Sequence, residues 1–510
     1  MNSVIALIGS GSTALSLIHH YLQQLEAGAA LPRTMYLFEK RAAFGSGAAY
    51  EADRASNLLN TKTEFIAPFI DQPGDFWHWL QTQPALWRHQ FPGYTPEADG
   101  YAPRPLFGMY LENRLKALVK RAASLGLNVV QLHAEVLDIQ QHGNRQVLNT
   151  DCNLRLVADY VFLTCGTLPA RRNNALAEHP HVLNTPYPVS TLPAHIPADA
   201  AVGILGARLS AIDAVIALIE QGHRGPITLH SRSGYFPSVR GTQGRIQPRY
   251  LNDEYLATLR ASKGKLSLQE LIALVQKEIM ELEGTELRGD FHLPAPPVSL
   301  ENYLQDEIHA AAGPRAWQAA LYATNPIIDQ LWAALHEEDK QKFLDNYFSV
   351  FMAYRVSIPV ENARKILRYL QSGQLRFCSG SFGRPQAMDG GLVLRMDEEQ
   401  IVHHYDYLIQ AMGSPRQVGH LESELLSRLL QRGVLQPHPL GGVKIEAHSY
   451  CAEGANGQTS PRLRVLGELT TGAFFFTSAL DINARHAKRC VEQFATVFTP
   501  AVRDIEAAQA

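Results

Sequence analysis

The chain has 510 residues, 46% hydrophobic and 19% charged, with a formal net charge of −3. That supplies enough apolar surface for two or more domains with large cores and too little charge for long disorder. The near balance of acids and bases argues against a nucleic-acid face. Five scattered cysteines with no CxxC pair argue against a disulfide framework or a cysteine-ligated zinc.

The amino terminus, "MNSVIALIGSG", enters an apolar run by Val4, too early for a signal peptide. The apolar stretch "TGAFFFTSAL" is about half the ~20 residues of a membrane helix. A cytoplasmic chain without a membrane span is the expectation. The first segment, "SVIALIGSGSTALSLIHHYLQQL", is a β-branched run, a Gly/Ser turn and a helix, with Leu15, Ile18, Leu22 and Leu25 at helical spacing. "TMYLFEK" then ends a second strand in Glu39. Gly9, Gly11 and Ala14 fill G-x-G-x-x-A directly after a strand. Gly9 permits the tight turn, Gly11 lets backbone approach a pyrophosphate, and Ala14 keeps helix and sheet close. A diphosphate on the helix N-terminus is favoured by free N–H groups and the dipole. Glu39 can accept both ribose hydroxyls and disfavours a 2′-phosphate, so FAD or NAD fits better than NADP. It lies thirty residues after Gly9, against ~20 in the compact motif.

The paired histidines of "LIHHY" and "IVHHYDY" are read as core or surface residues, since positions i and i+1 do not share a helix face; no metal is expected. "FWHWL" (76–80) reads as core packing. After "DYVFLTCGTLPAR" and a Pro-rich connector, the βαβ pattern recurs at 201–232. Gly206 holds the first glycine position, but Arg208 stands where the second belongs. Its guanidinium could swing aside and clamp phosphates, or fill the groove in place of NADPH. The next strand ends in Ser231-Arg232 with no acid, which suits a 2′-phosphate. Residues 250–372 read as a helical insertion, followed by "YDYLIQAMGSPR" and "RLRVLGELTTGAFFFTSALDINARHA".

That last segment, with Gly467-Glu468 after a strand, resembles the C-terminal Gly-Asp motif of two-dinucleotide-domain flavoproteins, with Glu for Asp. The strands ending at Gly166 and Gly413 resemble the crossovers between their FAD and NAD(P) domains. "FGSGAAYEADRASNLLNTKTEFIAPFIDQPGDFWHWL", "YAPRPLFGMYLENRL", "QLWAALHEEDKQKFLDNYF" and "YRVSIP" resemble, in order, segments of a bacterial family of FAD/NAD(P)-binding proteins. That family is related in architecture to flavin-dependent lysine and ornithine N-hydroxylases and to Baeyer–Villiger monooxygenases. The F-x-G-x-x-x-H-x-x-x-W/P fingerprint of the last group is not visible.

The resemblance implies an α/β fold of two Rossmann-like dinucleotide-binding domains, of three-layer ββα type, with a mainly helical insertion. The expected order is an FAD domain (1–175), an NAD(P)-like domain (176–249), the insertion (250–372), the NAD(P)-like return (373–434) and the FAD C-terminal part (435–510). Candidate cofactor contacts extend to Ser12, Thr13, Lys40, Val136 and Thr164. The resemblance also places Asn60 and Lys62 beside the isoalloxazine. There Asn60 would bond flavin N5/O4 or a C4a-hydroperoxide, and Lys62 would face an anionic flavin or an acidic substrate; a loop Asn capping its own turn is the plainer reading. The expected activity is an FAD-dependent monooxygenase using NADPH and O2 on a small metabolite. The alternatives are a flavin oxidase or dehydrogenase with a vestigial second site, and a non-catalytic FAD scaffold.

Overall fold

The computed structural model describes residues 3–171, 176, 179–284, 294–388, 391–396 and 401–498. The chain divides into two compact units. The first comprises 1–51, 61–168 and 415–510; the second comprises 52–60 and 169–414.

The first unit opens with β1 (Val4–Ile8), α1 (Ser12–Glu26) and β2 (Thr34–Glu39). It continues through α2 (Asp75–Thr82), α3 (Pro84–Trp87), α4 (Arg104–Ser124), β3 (Asn128–His133), β4 (Val136–His142), β5 (Arg145–Thr150), β6 (Arg155–Ala158) and β7 (Tyr160–Leu163). The second unit holds β8 (Val182–Leu183), α5 (Leu192–His195), β9 (Val202–Leu205), α6 (Leu209–Glu220) and β10 (Ile227–Ser231). The regular elements among the described residues of its insertion are helices: α7 (Asp253–Lys263), α8 (Leu268–Glu283), α9 (Leu300–Ala310), α10 (Ala316–Ala323), α11 (Ile328–Ala334), α12 (Glu337–Asn346), α13 (Phe348–Arg355) and α14 (Val360–Gln371). It closes with β11 (Leu375–Ser379), β12 (Gln386–Met388), β13 (Gly391–Arg395), β14 (Val402–Tyr405) and β15 (Tyr407–Gln410). The chain then returns to the first unit with α15 (Glu424–Gln431), β16 (Cys451–Glu453), β17 (Thr459–Val465), α16 (Thr471–Phe474) and α17 (Leu480–Thr496).

Each unit is a three-layer build around a mostly parallel sheet. In the first, the order is β16-β17-β7-β1-β2-β3, parallel except for β16 against β17. One face carries α1 and α17, with Phe494 of α17 edge-on to Phe162 of β7 at 5.2 Å. The other face meets the antiparallel sheet β4-β5-β6, and Val136, Ile139 and Leu148 share a core with Ile8, Phe38 and Leu163. In the second, the parallel order is β11-β10-β9-β15-β8. It packs on α6, α9 and α14 on one side and on β12-β13-β14 on the other. Strands covered on both faces need continuous apolar runs, and β1 and β9 supply them. α6 is buried on nearly all sides, in keeping with its mostly apolar sequence. The insertion has its own core around Leu256, Leu274, Ile327 and Leu331.

The compact units differ from the expected domain bounds in three places, one of them the end of the first unit's second segment at Leu168. Residues 52–60 count with the second unit, and the return falls at Pro415, not 435. The cause of this last shift is α15, whose Leu425, Leu426 and Leu429 join the first unit's core. The expected boundary after 175 lies outside the described residues, as do residues 499–510. Among the described residues, no helix is long and apolar enough to cross a membrane.

Candidate cofactor-binding sites

In the first unit, Gly9 follows β1 with φ +102°, and a Cβ there would lie 2.4 Å from the Thr164 carbonyl oxygen. Glycine is therefore demanded by the protein itself at this point. Gly11 is different. It starts α1 with ordinary extended backbone (φ −72°, ψ −169°), and a Cβ would meet only Gly47 Cα, at 3.5 Å. No side chain caps α1 and no acid sits in its first turn, so its N–H groups face outward without an intrahelical partner. Free N–H groups, a glycine the fold does not need and a second glycine across from it form a cradle suited to a diphosphate.

Glu39 ends β2, buried. Its Oε2 accepts from Ser10 N at 3.2 Å and Ser10 Oγ at 2.8 Å, and its Oε1 accepts from Arg41 N at 2.9 Å. Ser10 Oγ also accepts from Gly45 N at 3.2 Å. Ser10 thus ties the turn, the strand end and the following loop together, and sequence reading missed it because a serine between two glycines has no distinctive signature. Oε1, with a single bond, retains a lone pair for a ribose hydroxyl, whereas Oε2 already accepts two bonds. The loop 45–50 lies against α4, which explains its glycines: a Cβ on Gly108 would fall 1.9 Å from the Tyr50 carbonyl oxygen, and one on Gly45 3.0 Å from Glu112 Cα.

The other first-unit candidates are placed as follows. Thr164 Oγ1 donates to the carbonyls of Ile8 and Gly9 at 3.1 and 2.8 Å, holding β7 to the turn. Gly166 has φ +66° and open space around its Cα. Lys40 pairs with Glu135 at 2.7 Å. Val136 opens β4 with its side chain in the core, which leaves its backbone as the part able to meet a ligand. Gly467, at φ +75°, brings the end of β17 to the start of α1: a Cβ there would sit 3.7 Å from Thr13 Oγ1. Ser12 and Thr13 open α1. Glu468 Oε1 accepts from Thr167 Oγ1 at 2.9 Å, and burial pushes the Glu468 carboxyl above its ordinary pKa. Lys62 is only 7% exposed, yet no ion pair or hydrogen bond joins its ammonium to any described residue. A buried charge without a counter-charge is costly, so this ammonium favours an anionic group. Asn60 is half-buried and counts with the second unit.

The second unit repeats the turn. Gly206, at φ +124°, would place a Cβ 2.4 Å from the Ala411 carbonyl oxygen, as Gly9 does against Thr164. Arg208 takes the place of Gly11, with the same extended backbone (φ −100°, ψ −165°) at the start of an α6 that no side chain caps. Its guanidinium leans on Phe348 of α13, 5.8 Å from the ring centroid. Burial lowers its pKa, and no carboxylate offsets that among the described residues. Ser231 Oγ donates to the Tyr235 carbonyl at 3.3 Å. Arg232 is exposed beyond it, 5.9 Å from the Phe382 ring, with a 3.8 Å contact to Met412 Sδ and no described acid beside it.

Residues 6–168 match a family model described as FAD-NAD(P)-binding. No curated protein matches the chain in sequence. Solved structures similar to it include the ornithine hydroxylase PvdA of Pseudomonas aeruginosa, at 14% identity and TM-score 0.58. They also include the L-lysine 6-monooxygenase of Pseudomonas syringae, at 13% and 0.57, and the ornithine N-hydroxylase KtzI of Kutzneria sp. 744, with reduced FAD, NADP+ and L-ornithine, at 14% and 0.56. Each likeness covers 98% of this chain and 100% of the other. The fold is that of the two-dinucleotide-domain flavoenzymes. In its first unit, the matched FAD/NAD(P)-binding region contains the Gly9–Gly11 turn, Glu39 and Thr164.

Proposed function

We propose that the protein is an FAD-dependent oxidoreductase in which NADPH drives monooxygenation of a small metabolite. The observation that carries this reading is the doubled turn. Gly9–Gly11 before α1 is paired with an acid at the end of β2, whereas Gly206–Arg208 before α6 is paired with Ser231-Arg232 at the end of β10. An acid suits a free ribose and an arginine suits a 2′-phosphate, so the first unit is assigned to FAD and the second to NADPH. The likeness in fold to ornithine and lysine hydroxylases along the whole chain supports the same reading.

Bound FAD would supply hydride acceptance from NADPH and reaction with O2, one oxygen atom passing to the substrate and the other leaving as water. The chain's own residues do the rest. Glu39 offers Oε1 to a ribose hydroxyl, its other oxygen held in place by Ser10. The open N–H groups of α1 receive the diphosphate, and the Gly467-Glu468 turn approaches Thr13 to complete the cradle. Lys62 offers its charge to an anionic flavin or an acidic substrate, and Asn60 offers an amide. Arg232 meets the 2′-phosphate through a charge-assisted bond. A second reading, an oxidase that takes electrons from its organic substrate, is favoured by one observation. Arg208 puts a Cβ and a long side chain where backbone should closely approach the nucleotide.

Oxygen uptake separates the two. The monooxygenase consumes O2 only with NADPH and yields an oxygenated product from an accepted substrate such as a primary amine. Substrate-dependent uptake without NADPH would establish the oxidase instead.

A further inference from the structure

The sequence reads His19 and His20 as core or surface residues with no metal role, but Asp71, 52 residues after His19, joins them. His19 Nε2 lies 3.0 and 3.1 Å from the two Asp71 oxygens. Gln23, one turn further along α1, sets its amide nitrogen 2.6 Å from Asp71 Oδ2 and 3.2 Å from His19 Nε2. Its amide oxygen lies 2.7 Å from His20 Nδ1. One ligand-capable atom from each of His19, His20 and Asp71 lies within 4.8 Å of the other two. The two imidazoles are buried with ring centroids 4.9 Å apart, while Asp71 opens to the surface. The i and i+1 positions diverge at the helix surface, yet rings reaching back toward one loop converge.

Without a metal, His19 Nε2–H and the Gln23 amide can both donate to Asp71. A divalent cation would take the place of the His19 proton: the Nε2 lone pair and Asp71 Oδ1 would become ligands, and the Gln23 N–H would stay on Asp71 Oδ2 as an outer partner fixing its orientation. The 3.0 Å separation of His19 Nε2 and Asp71 Oδ1 is a few tenths of an ångström short of the ~3.3–3.6 Å between two ligands of a tetrahedral metal, so binding would need only a small opening of the pair.

We propose that His19, His20 and Asp71 form a site for a divalent cation of the Zn2+ class, separate from the dinucleotide sites. Two imidazoles with one carboxylate select Zn2+, Co2+ or Ni2+ over Mg2+ and Ca2+, and three protein ligands leave a position for water. The site braces the loop 66–72 on α1. Ser16 Oγ already donates to the Pro68 carbonyl at 2.5 Å, and Phe69 stacks on His19 at 4.4 Å. The proposal depends on the first unit's fold and not on the redox reading above.

The test uses untagged, FAD-loaded, full-length protein, stripped with a chelator and titrated calorimetrically with ZnCl2, CoCl2 and MgCl2. One Zn2+ per chain should bind, Mg2+ should not, and thermal unfolding should move to higher temperature with Zn2+. Asp71→Asn and His19→Gln should each weaken Zn2+ binding by at least about tenfold, and Gln23→Ala by roughly tenfold through the outer shell. Zn2+ binding that is absent, or equally strong in Asp71→Asn and His19→Gln, overturns the proposal. X-ray absorption of the Co2+ form of the unaltered protein needs no variant to fold: imidazole and carboxylate ligation is expected, and a sulfur ligand or a shell without imidazole overturns it.

Discussion

Gly9 and Gly11 stand two residues apart and answer to different constraints. At Gly9 the backbone is left-handed and the Thr164 carbonyl fills the space a Cβ needs. At Gly11 the backbone is ordinary and a Cβ makes only van der Waals contact. Gly9→Ala should therefore lower the unfolding midpoint of the apoprotein. Gly11→Ala should leave that midpoint nearly unchanged while reducing FAD content, and Gly11→Val should give folded, colourless protein. Flavin absorbance and thermal unfolding measured on the same samples check this, and a Gly11→Val variant fully loaded with FAD would contradict it. At the other nucleotide, Arg232 has no described acid to neutralise it. A charge-assisted hydrogen bond is worth ~1.5–3 kcal/mol, so NADPH should be preferred over NADH by roughly tenfold to a hundredfold. Arg232→Ala should largely erase that preference in kcat/KM. Arg208 is the finer case. Its backbone is built correctly and its side chain rests on Phe348, so the loss lies in close approach alone. Arg208→Gly should lower the KM for NADPH about fivefold, the worth of one recovered hydrogen bond of ~1 kcal/mol. A tenfold rise would show that the guanidinium clamps phosphate. The glycines, Glu39 and Ser231-Arg232 were legible in the sequence because each rests on local backbone geometry. The direction of Arg208 was not, because Phe348, which receives it, is 140 residues away.

At the scale of elements, the two dinucleotide helices begin without side-chain caps, whereas α7, α8 and α9 are capped by Asn252, Ser267 and Ser299. The other insertion helices, α10 to α14, also begin without side-chain caps, so an open first turn points to a ligand at α1 and α6 only together with the glycine turn before them. Apolar runs and turn glycines made β1, β2, β9 and β10 readable. The small sheets β4-β5-β6 and β12-β13-β14 are not readable from the sequence, because several of their strands are short and the burial along β4 and β5 does not alternate. Asp71 escaped notice for a similar reason: a single carboxylate in a loop has no periodicity to betray its partners. The match of loop 45–50 to α4 yields a prediction. A glycine inside a helix ordinarily costs about 1 kcal/mol relative to alanine, so Gly108→Ala should stabilise an unobstructed helix. Here the new methyl would overlap the Tyr50 carbonyl, and overpacking costs ~1–3 kcal/mol. The overlap with backbone is severe, so the second effect wins. Gly108→Ala should lower the unfolding midpoint and loosen FAD together, and a raised midpoint would contradict the packing described.

At the scale of the molecule, two units built alike carry cradles of different chemistry, acidic at one strand end and basic at the other. The redox account requires that both be used in one reaction. The most direct measurement is anaerobic mixing of the purified yellow protein with NADPH, following the flavin band near ~450 nm, where oxidised flavins absorb. NADPH should bleach the band, faster with substrate bound and at high NADPH, and NADH should bleach it more slowly. A flavin that NADPH never bleaches, with or without substrate, would contradict it and leave the second unit without a redox role.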